Sequence, residues 1–233
     1  MDNQLSISLA VQVHNAAGET VPMVLIERPS KLTPYLKPGD GVLDLGANIG
    51  GTARMFAARV GPTGAVVAVE ADPATAMLCR MCAADLPQVR VLPVAVAEEA
   101  SVRHLHLDAN NSRRHSLYRA NLTTDSAHTT LVPTLPLDTL ADSVPNLAAI
   151  KVDLQGAEGA MLDGGSATLG RHRLTWCVEL WPLGLAQACH SIEAVVGTFG
   201  AYGWRPVGTT WAAVLERANA KPHGVQDVVL QHG

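Results

Sequence analysis

The sequence is short of basic charge and has no long apolar run. Lysine and arginine number 17 against 21 aspartates and glutamates, which gives a net charge of −4 with neutral histidines, so we expect no broad nucleic-acid-binding surface. No apolar run approaches the roughly 18 residues of a membrane span, and no basic region precedes an apolar core at the N-terminus. We therefore expect neither a membrane protein nor a secreted one.

Cysteine is also scarce. The four cysteines (Cys79, Cys82, Cys177 and Cys189) are too few and too unevenly spaced for a disulfide framework. Cys79 and Cys82 have the spacing of a redox or metal motif, but no second pair completes a zinc site. Because they fall on a predicted helix among apolar residues, we interpret them as small buried hydrophobic residues. This usage is typical of a reduced, cytoplasmic protein.

Apolar residues make up 48% of the 233 residues, enough for the core of one α/β domain. Residues 1–38 precede that domain, which we expect at 39–233. Apolar stretches at 5–13 and 21–26 flank a glycine-containing turn and predict a β-hairpin, after which three prolines form a linker. This extension could cover the active site or mediate homodimer formation, and the sequence leaves both open.

The stretch 39–51 organises the rest of the chain. Its apolar run at 42–45 has strand length and ends in a glycine-rich turn, and residues 52–60 repeat apolar side chains at helix spacing. A buried strand, a glycine turn and a helix form the opening unit of a doubly wound nucleotide-binding sheet. We expect the turn to contact a cofactor through Gly46, Ala47, Asn48 and Gly50.

The residues around this turn indicate which cofactor. Asn48 stands where a dinucleotide fingerprint requires a glycine, so NAD is disfavoured. Asp44 suits a cationic group, and Glu70 closes the next apolar run, where a carboxylate can take both hydroxyls of a ribose. A ribose-bearing, positively charged, phosphate-free ligand describes S-adenosylmethionine, with Ala71 and Ala95 beside its nucleoside. The chain here resembles a class I methyltransferase; the alternative is any Rossmann-like domain with a glycine turn.

Further apolar runs predict the remaining strands of the sheet. We expect core strands at 65–69, 89–96, 147–153 and 174–180, and closing strands at 202–207 and 225–230. The predicted fold is therefore a class I methyltransferase (Rossmann-like) α/β fold. It has a doubly wound, mostly parallel, seven-stranded sheet and an N-terminal β-hairpin extension.

A polar, basic segment at 110–118 interrupts this pattern between core strands. Such a segment can hold the acceptor of a reaction, through Asn111, Arg113 and Arg114, with His115 as a possible general base. The alternative is a solvated surface loop, and the sequence does not choose between them.

The strand at 147–153 carries the acid that we expect to do the chemistry. Asp153 ends this strand across from the glycine turn, and Lys151 lies two residues earlier, on the same face. Asp153 could orient the ammonium of the cofactor, or accept a proton directly or through His115. Glu158, in the first turn of the next helix, and Glu179, near the end of the fifth strand, are further candidates for binding the acceptor.

Four segments together resemble the FkbM family of methyltransferases: 44–50, 135–140, 151–158 and 202–204. The resemblance covers about residues 40–208, and the segment with Lys151, Asp153, Gly156 and Glu158 is its most specific part. It implies methylation that depends on S-adenosylmethionine, usually of a hydroxyl oxygen on a sugar or natural product.

Gln155 departs from the family pattern, which commonly has an acid there. The change removes one likely carboxylate ligand, so we predict no metal. The alternatives to an O-methyltransferase acting on a small molecule are an N-methyltransferase on the same fold and a non-catalytic nucleotide-binding domain. The joint presence of Asp44, Glu70 and Asp153 disfavours the last.

Overall fold

The computed structural model describes residues 7–14, 20–27, 29–109, 111–122, 128–171 and 173–233. The strands are β1 (Ile7–His14), β2 (Thr20–Glu27), β3 (Gly41–Leu45), β4 (Ala65–Val69), β5 (Val89–Leu92), β6 (Ala95–Val96), β7 (Ser101–His106), β8 (Thr129–Leu135), β9 (Leu147–Val152), β10 (Thr175–Leu180), β11 (Trp204–Pro206) and β12 (Gln226–His232). The α-helices are α1 (Gly51–Val60), α2 (Pro73–Cys82), α3 (Leu137–Asp142), α4 (Glu158–Asp163), α5 (Ser166–Leu169), α6 (Pro182–Gln187), α7 (Ile192–Ala201) and α8 (Trp211–Ala220). In these ranges no helix has both the length and the apolar character to cross a membrane.

The main sheet has seven strands in the order β11-β12-β10-β9-β3-β4-β5. Strands β5, β4, β3, β9 and β10 pair in parallel, and β12 is antiparallel to both of its neighbours. This confirms the predicted mostly parallel sheet. The chain order reverses between β3 and β9, and in open α/β sheets ligands bind beside such a switch point, outside the carboxyl ends of the strands.

The third predicted core strand, at 89–96, was wrong as a single element. The main sheet keeps only β5, and β6 pairs with β8 in a separate three-stranded sheet that also contains β7. Pro93 separates the two pieces. It has no N–H to donate to a neighbouring strand, so the ladder of the main sheet stops there and the chain turns away.

The N-terminal strands β1 and β2 pair antiparallel with each other. The linker after them packs into the main domain, because Leu32 and Leu36 are buried in the same apolar cluster as Phe56 of α1. Residues on both sides of the expected boundary at residue 38 therefore contribute to the same apolar core.

Two apolar clusters cover the two faces of the main sheet. On the α1 face, alternate positions of neighbouring strands supply Val42, Ala149, Cys177 and Val229. Two positions further toward the carboxyl edge of the sheet, the same alternation presents polar groups instead: Asp44, Lys151, Glu179 and Asp227. On this face of the sheet, the side chains thus change from apolar to charged within two residues along each strand.

The opposite face is closed by an aromatic cluster that fixes the last helices on the sheet. Phe199 of α7 and Trp204 both meet Trp176 edge-on, with ring centroids 5.5 and 5.9 Å apart. The indole N–H of Trp204 also donates to the backbone oxygen of Leu169 at 2.9 Å. These contacts join α5, α7 and β11 to β10.

We expect Phe199→Ala to lower the free energy of unfolding by about 3–5 kcal/mol, because it leaves a cavity in this cluster. Met77→Ala is a suitable control, since Met77 is 56% exposed on α2 and should change stability by no more than about 0.5 kcal/mol. Urea denaturation of both variants measures the difference. Equal stabilities would show that the aromatic cluster adds little.

Candidate functional site

A cavity of about 650 Å³ opens at the carboxyl edge of the main sheet, beside the switch point. Its volume is typical of small-molecule and cofactor sites. The glycine turn after β3, the ends of β4, β9 and β10, and the segment 111–117 all contribute to its wall. The topology therefore brings together the separate segments that the sequence marked as functional.

The glycine turn packs directly against the end of β9. Gly46 has a φ of +77°, and a Cβ at this position would lie 1.9 Å from the backbone oxygen of Asp153, so a side chain cannot be accommodated. The N–H of Asp153 donates to the carbonyl of Leu45 at 3.1 Å. Gly46, Ala47 and Asn48 line the cavity as expected.

Glu70 holds this turn from the adjacent strand. Its two carboxylate oxygens accept the N–H groups of Asn48 and Asp72, each at 2.9 Å. A carboxylate has about four lone-pair positions, so both oxygens can still accept hydroxyl groups from the cavity. Burial raises the pKa of Glu70 to about 7, against the effect of these two N–H donors. Ala71 and Ala95 line the cavity beside it.

An ion-pair row crosses β3 and β9. The two strands place Asp44 opposite Lys151, and the lysine Nζ lies 3.4 Å from Asp44 Oδ1 and 3.5 Å from Asp153 Oδ2. It also donates to the carbonyl of Gly46 at 3.3 Å. Burial disfavours the charged lysine, but Asp44, Asp153 and Glu179 outweigh it and raise the pKa above the ordinary value. Lys151 therefore stays a cation.

Asp153 and Glu179 form a carboxyl pair next to this lysine. The side-chain Nε2 of Gln155 donates to Asp153 Oδ1 at 2.7 Å and to Glu179 Oε2 at 3.2 Å. Burial opposes the charge on Asp153, yet Lys151 and the surrounding donors hold its pKa below the usual range. Burial and the Asp153 charge raise the pKa of Glu179. The site thus favours negative charge on Asp153 over negative charge on Glu179.

Three expected site residues lie outside the cavity wall: Asp44, Gly50 and Glu158. Asp44 is fully buried and pairs with Lys151, which does line the cavity. Gly50 faces α2, since a Cβ there would lie 2.8 Å from the Sγ of Cys79. Glu158 Oε1 accepts the backbone N–H groups of Leu154 and Gly156, at 3.0 and 3.4 Å. It shapes the turn after β9, and the structure gives it no contact surface for a substrate.

The segment 111–118 contributes to the cavity wall. Asn110, the first residue of the expected insert, lies outside the described residues. Asn111, Arg113, Arg114 and His115 all line the cavity. The Arg114 guanidinium lies 5.9 Å from the ring centre of Trp181. The Nδ1 of His115 accepts the N–H of Asp108 at 3.0 Å, and burial lowers its pKa. The neutral ring therefore carries its proton on Nε2, which makes it a donor.

Sequence reasoning missed part of the wall. Pro29 and Ser30, which precede the main domain in the sequence, line the cavity. Val225 and Asp227 also line it, and Asp227 lies opposite Glu179 in the pairing of β10 with β12. No local pattern marks these positions. Only the long-range pairing of β12 brings Asp227 to the site.

The cysteines lie where the sequence predicted them. Cys79, Cys82 and Cys177 are buried and not joined in disulfides, which confirms the predicted packing role of Cys79 and Cys82. Over the part of the chain that the structure describes, no group of three histidine, cysteine or acidic side chains is arranged to hold a metal ion.

Comparisons with known proteins agree with the motifs. A family model described as the methyltransferase FkbM domain matches residues 44–198. No protein with a curated function matches the sequence significantly.

Solved structures similar to the chain have low sequence identity to it. A methyltransferase FkbM from Methylobacillus flagellatus is 16% identical, covers 69% of this chain and has a TM-score of 0.44; this chain spans 37% of its length. Aeropyrum pernix fibrillarin with bound S-adenosylmethionine is 11% identical over 83% of this chain and 67% of its own, with a TM-score of 0.46. An O-methyltransferase from Thermotoga maritima is 12% identical over 95% and 77%, with a TM-score of 0.44.

The raised pKa of Glu70 predicts that S-adenosylmethionine binding strengthens with pH. Ribose hydroxyls donate to the ionised carboxylate, so binding favours that form and releases a proton when the free protein is still protonated. Affinity should rise by up to about tenfold between about pH 6 and about pH 8, the effect of about one pKa unit. Calorimetry on the wild type and on Glu70→Gln, which cannot ionise, measures this. A wild-type profile as flat as that of the variant would refute the ribose assignment.

Proposed function

Since the chain belongs to the methyltransferase FkbM domain family, we propose that it transfers a methyl group from S-adenosylmethionine to a hydroxyl oxygen of a small molecule. The methyl donor is that of the family, and the acceptor is the open question. A sugar or a natural-product intermediate is the acceptor class that we propose. The observation that carries the proposal is the carboxyl group of Asp153 in the cavity wall, against the glycine turn and 3.5 Å from the Lys151 ammonium.

The cavity fits the proposed methyl donor. Glu70 offers carboxylate lone pairs for the two ribose hydroxyls, and the turn at Gly46 presents backbone rather than side chain. Ala71, Leu105 and Leu117 belong to one apolar cluster that lines the cavity beyond Glu70 and suits a flat base. When bound, S-adenosylmethionine supplies a methyl carbon on a cationic sulfur.

Asp153 has the properties that a hydroxyl acceptor needs. A hydroxyl must lose its proton as its oxygen is methylated, and an ionised carboxylate within reach can accept that proton. A sulfonium needs little further activation, so the remaining task of the protein is to hold donor and acceptor in line. The close contact between Gly46 and Asp153 supports this role, because it puts the carboxyl-bearing residue beside the turn that we assign to the cofactor.

Lys151 and His115 have different roles in this site. Lys151 remains protonated, so it acts as a fixed counter-charge that orients Asp153. His115 uses its Nδ1 to accept from Asp108, so its Nε2–H can donate to an oxygen in the cavity. Of the two bases that the sequence left open, this arrangement favours Asp153, and we propose His115 as a donor to substrate or cofactor.

N-methylation is a second candidate, and one observation favours it. Asp153, Glu179 and Asp227 all line the same end of the cavity, where an amine acceptor would find acidic partners. However, a carboxylate beside an amine stabilises the ammonium form, which has no lone pair to attack the methyl group. A hydroxyl acceptor has no such difficulty, so we place it first.

The acceptor is best sought by a radiolabelled methyl-transfer screen over hydroxylated and amine-bearing metabolites. Transfer to hydroxylated compounds supports the proposal, and transfer restricted to amines supports the second candidate. S-adenosylmethionine binding without transfer to any compound would favour a non-catalytic domain.

Asp153→Asn should abolish most turnover, by at least about a hundredfold, because the amide is nearly isosteric but cannot accept the proton. Binding of S-adenosylmethionine, measured by calorimetry, should survive if Asp153 serves the acceptor. Loss of both turnover and S-adenosylmethionine binding would instead indicate that Asp153 contacts the ammonium group of the cofactor. Unchanged turnover would show that Asp153 is structural.

The segment 111–117 should contribute to acceptor binding. We expect Arg114→Ala to lower kcat/KM for the acceptor by about 10- to 100-fold, the cost of losing a charged hydrogen-bonding partner. Arg113→Ala and His115→Ala test the neighbouring positions. Arg90→Ala, at an exposed site outside this cavity, is the matched control. If all three segment variants behave like the control, the segment is only a solvated loop.

A further inference from the structure

Gln155 joins the two acids at the acceptor end of the cavity. One amide nitrogen donates to both: to Asp153 Oδ1 at 2.7 Å and to Glu179 Oε2 at 3.2 Å. The two carboxyl groups come from the ends of neighbouring strands, β9 and β10, and both line the cavity, as does Gln155 itself. The amide therefore helps to fix the separation and orientation of the two carboxyl groups.

The backbone of Gln155 is held as firmly as its side chain. Its φ is 51°, in the left-handed region that residues other than glycine rarely occupy. Its carbonyl accepts from the side-chain amide of Asn121 at 2.7 Å and from the hydroxyl of Ser116 at 3.0 Å. Adjacent contacts thus maintain an otherwise unfavourable conformation, and this conformation directs the side chain toward the two acids.

A glutamine has a property here that an acid would lack. Its amide offers two N–H donors at every pH, whereas an ionised carboxylate can only accept. The shorter of its two contacts goes to Asp153, so it favours negative charge on Asp153 over negative charge on Glu179. Two adjacent ionised carboxylates would repel each other, and the pair relieves this by keeping one proton.

We propose that Gln155 is a positioning residue that fixes Asp153 as the ionised proton acceptor and Glu179 as its neutral partner. This inference rests on the proposed function only for the use of the base; the division of charge is a property of the protein alone. The pKa of Asp153 below its usual range and that of Glu179 above it agree with this division.

Other charged or titratable neighbours also act on this division. Those acting on the pair or on its partners are Asp44 on β3, Lys151 on β9, Glu158 on α4, Cys177 on β10, Asp227 on β12 and Lys31 in the N-terminal linker. Lys151 lies 3.5 Å from Asp153 and favours its charge, but it also lowers the pKa of Glu179. The two carboxyl groups also share a hydrogen bond, which lowers the pKa of Asp153 and raises that of Glu179. The Gln155 amide adds a donor that contacts both carboxyl groups.

Carbon-13 NMR titration of the ligand-free protein tests the inference without an acceptor. The protein is labelled at aspartate Cγ and glutamate Cδ, and Asp153→Asn and Glu179→Gln assign the two signals. In the wild type, Asp153 should remain ionised through neutral pH while Glu179 titrates above it. Gln155→Met keeps the size of the side chain but removes the donors, and Gln155→Glu adds a third acid. Both should raise the pKa of Asp153, by about one unit or more in Gln155→Glu.

Gln231→Met is the matched control, because Gln231 is exposed at the other end of β12 and should leave both signals unchanged. Circular dichroism checks that each variant folds. An Asp153 pKa that stays constant in both Gln155 variants would overturn the proposal, and so would loss of fold in both.

Turnover distinguishes this inference from the proposed function. If an acceptor is found, the acid limb of the kcat/KM profile should move to higher pH in Gln155→Met, in step with the NMR shift. If no acceptor is ever methylated but the NMR shift occurs, the proposed function fails and the positioning role stands. A rate profile that stays fixed while Asp153 shifts would remove Asp153 as the base and overturn the catalytic part of this inference.

Discussion

The lysine ammonium held between Asp44 and Asp153 is the interaction on which the site depends. A buried charge pair rarely stabilises a fold more than apolar packing would, but removal of one partner leaves an uncompensated charge and is costly. Lys151 also donates to the carbonyl of Gly46. The glycine turn, the buried acid behind it and the acid in the cavity are therefore fixed relative to one another through one side chain.

The periodicity of the sequence predicted most strands of the main sheet. Apolar runs at strand length separated by helical patterns predicted the parallel strands, and their ends predicted Gly46, Glu70 and Asp153 at one edge. The roles of buried charges could not be read in this way. Asp44 was expected to meet a ligand, because the sequence does not show that the register places it directly opposite Lys151.

The parts that could not be predicted depend on contacts between distant segments. Asp227 enters the site because β12 inserts antiparallel beside β10, and Ser30 enters because Leu32 and Leu36 anchor the linker in the core. Neither position carries a local pattern. The break of the third strand is different, since Pro93 was visible in the sequence and its missing N–H gives the physical reason.

Gln155 shows how the proposed acceptor side of the site is coupled to the strands of the main sheet. Its side chain contacts Asp153 and Glu179, and its carbonyl accepts hydrogen bonds from Ser116 of the segment 111–118 and from Asn121, which follows that segment. A displacement of that segment must therefore pull on the turn after β9, and through it on the orientation of Asp153. The position of the proposed base and the shape of the acceptor pocket cannot vary separately, because one residue with a fixed backbone conformation links them.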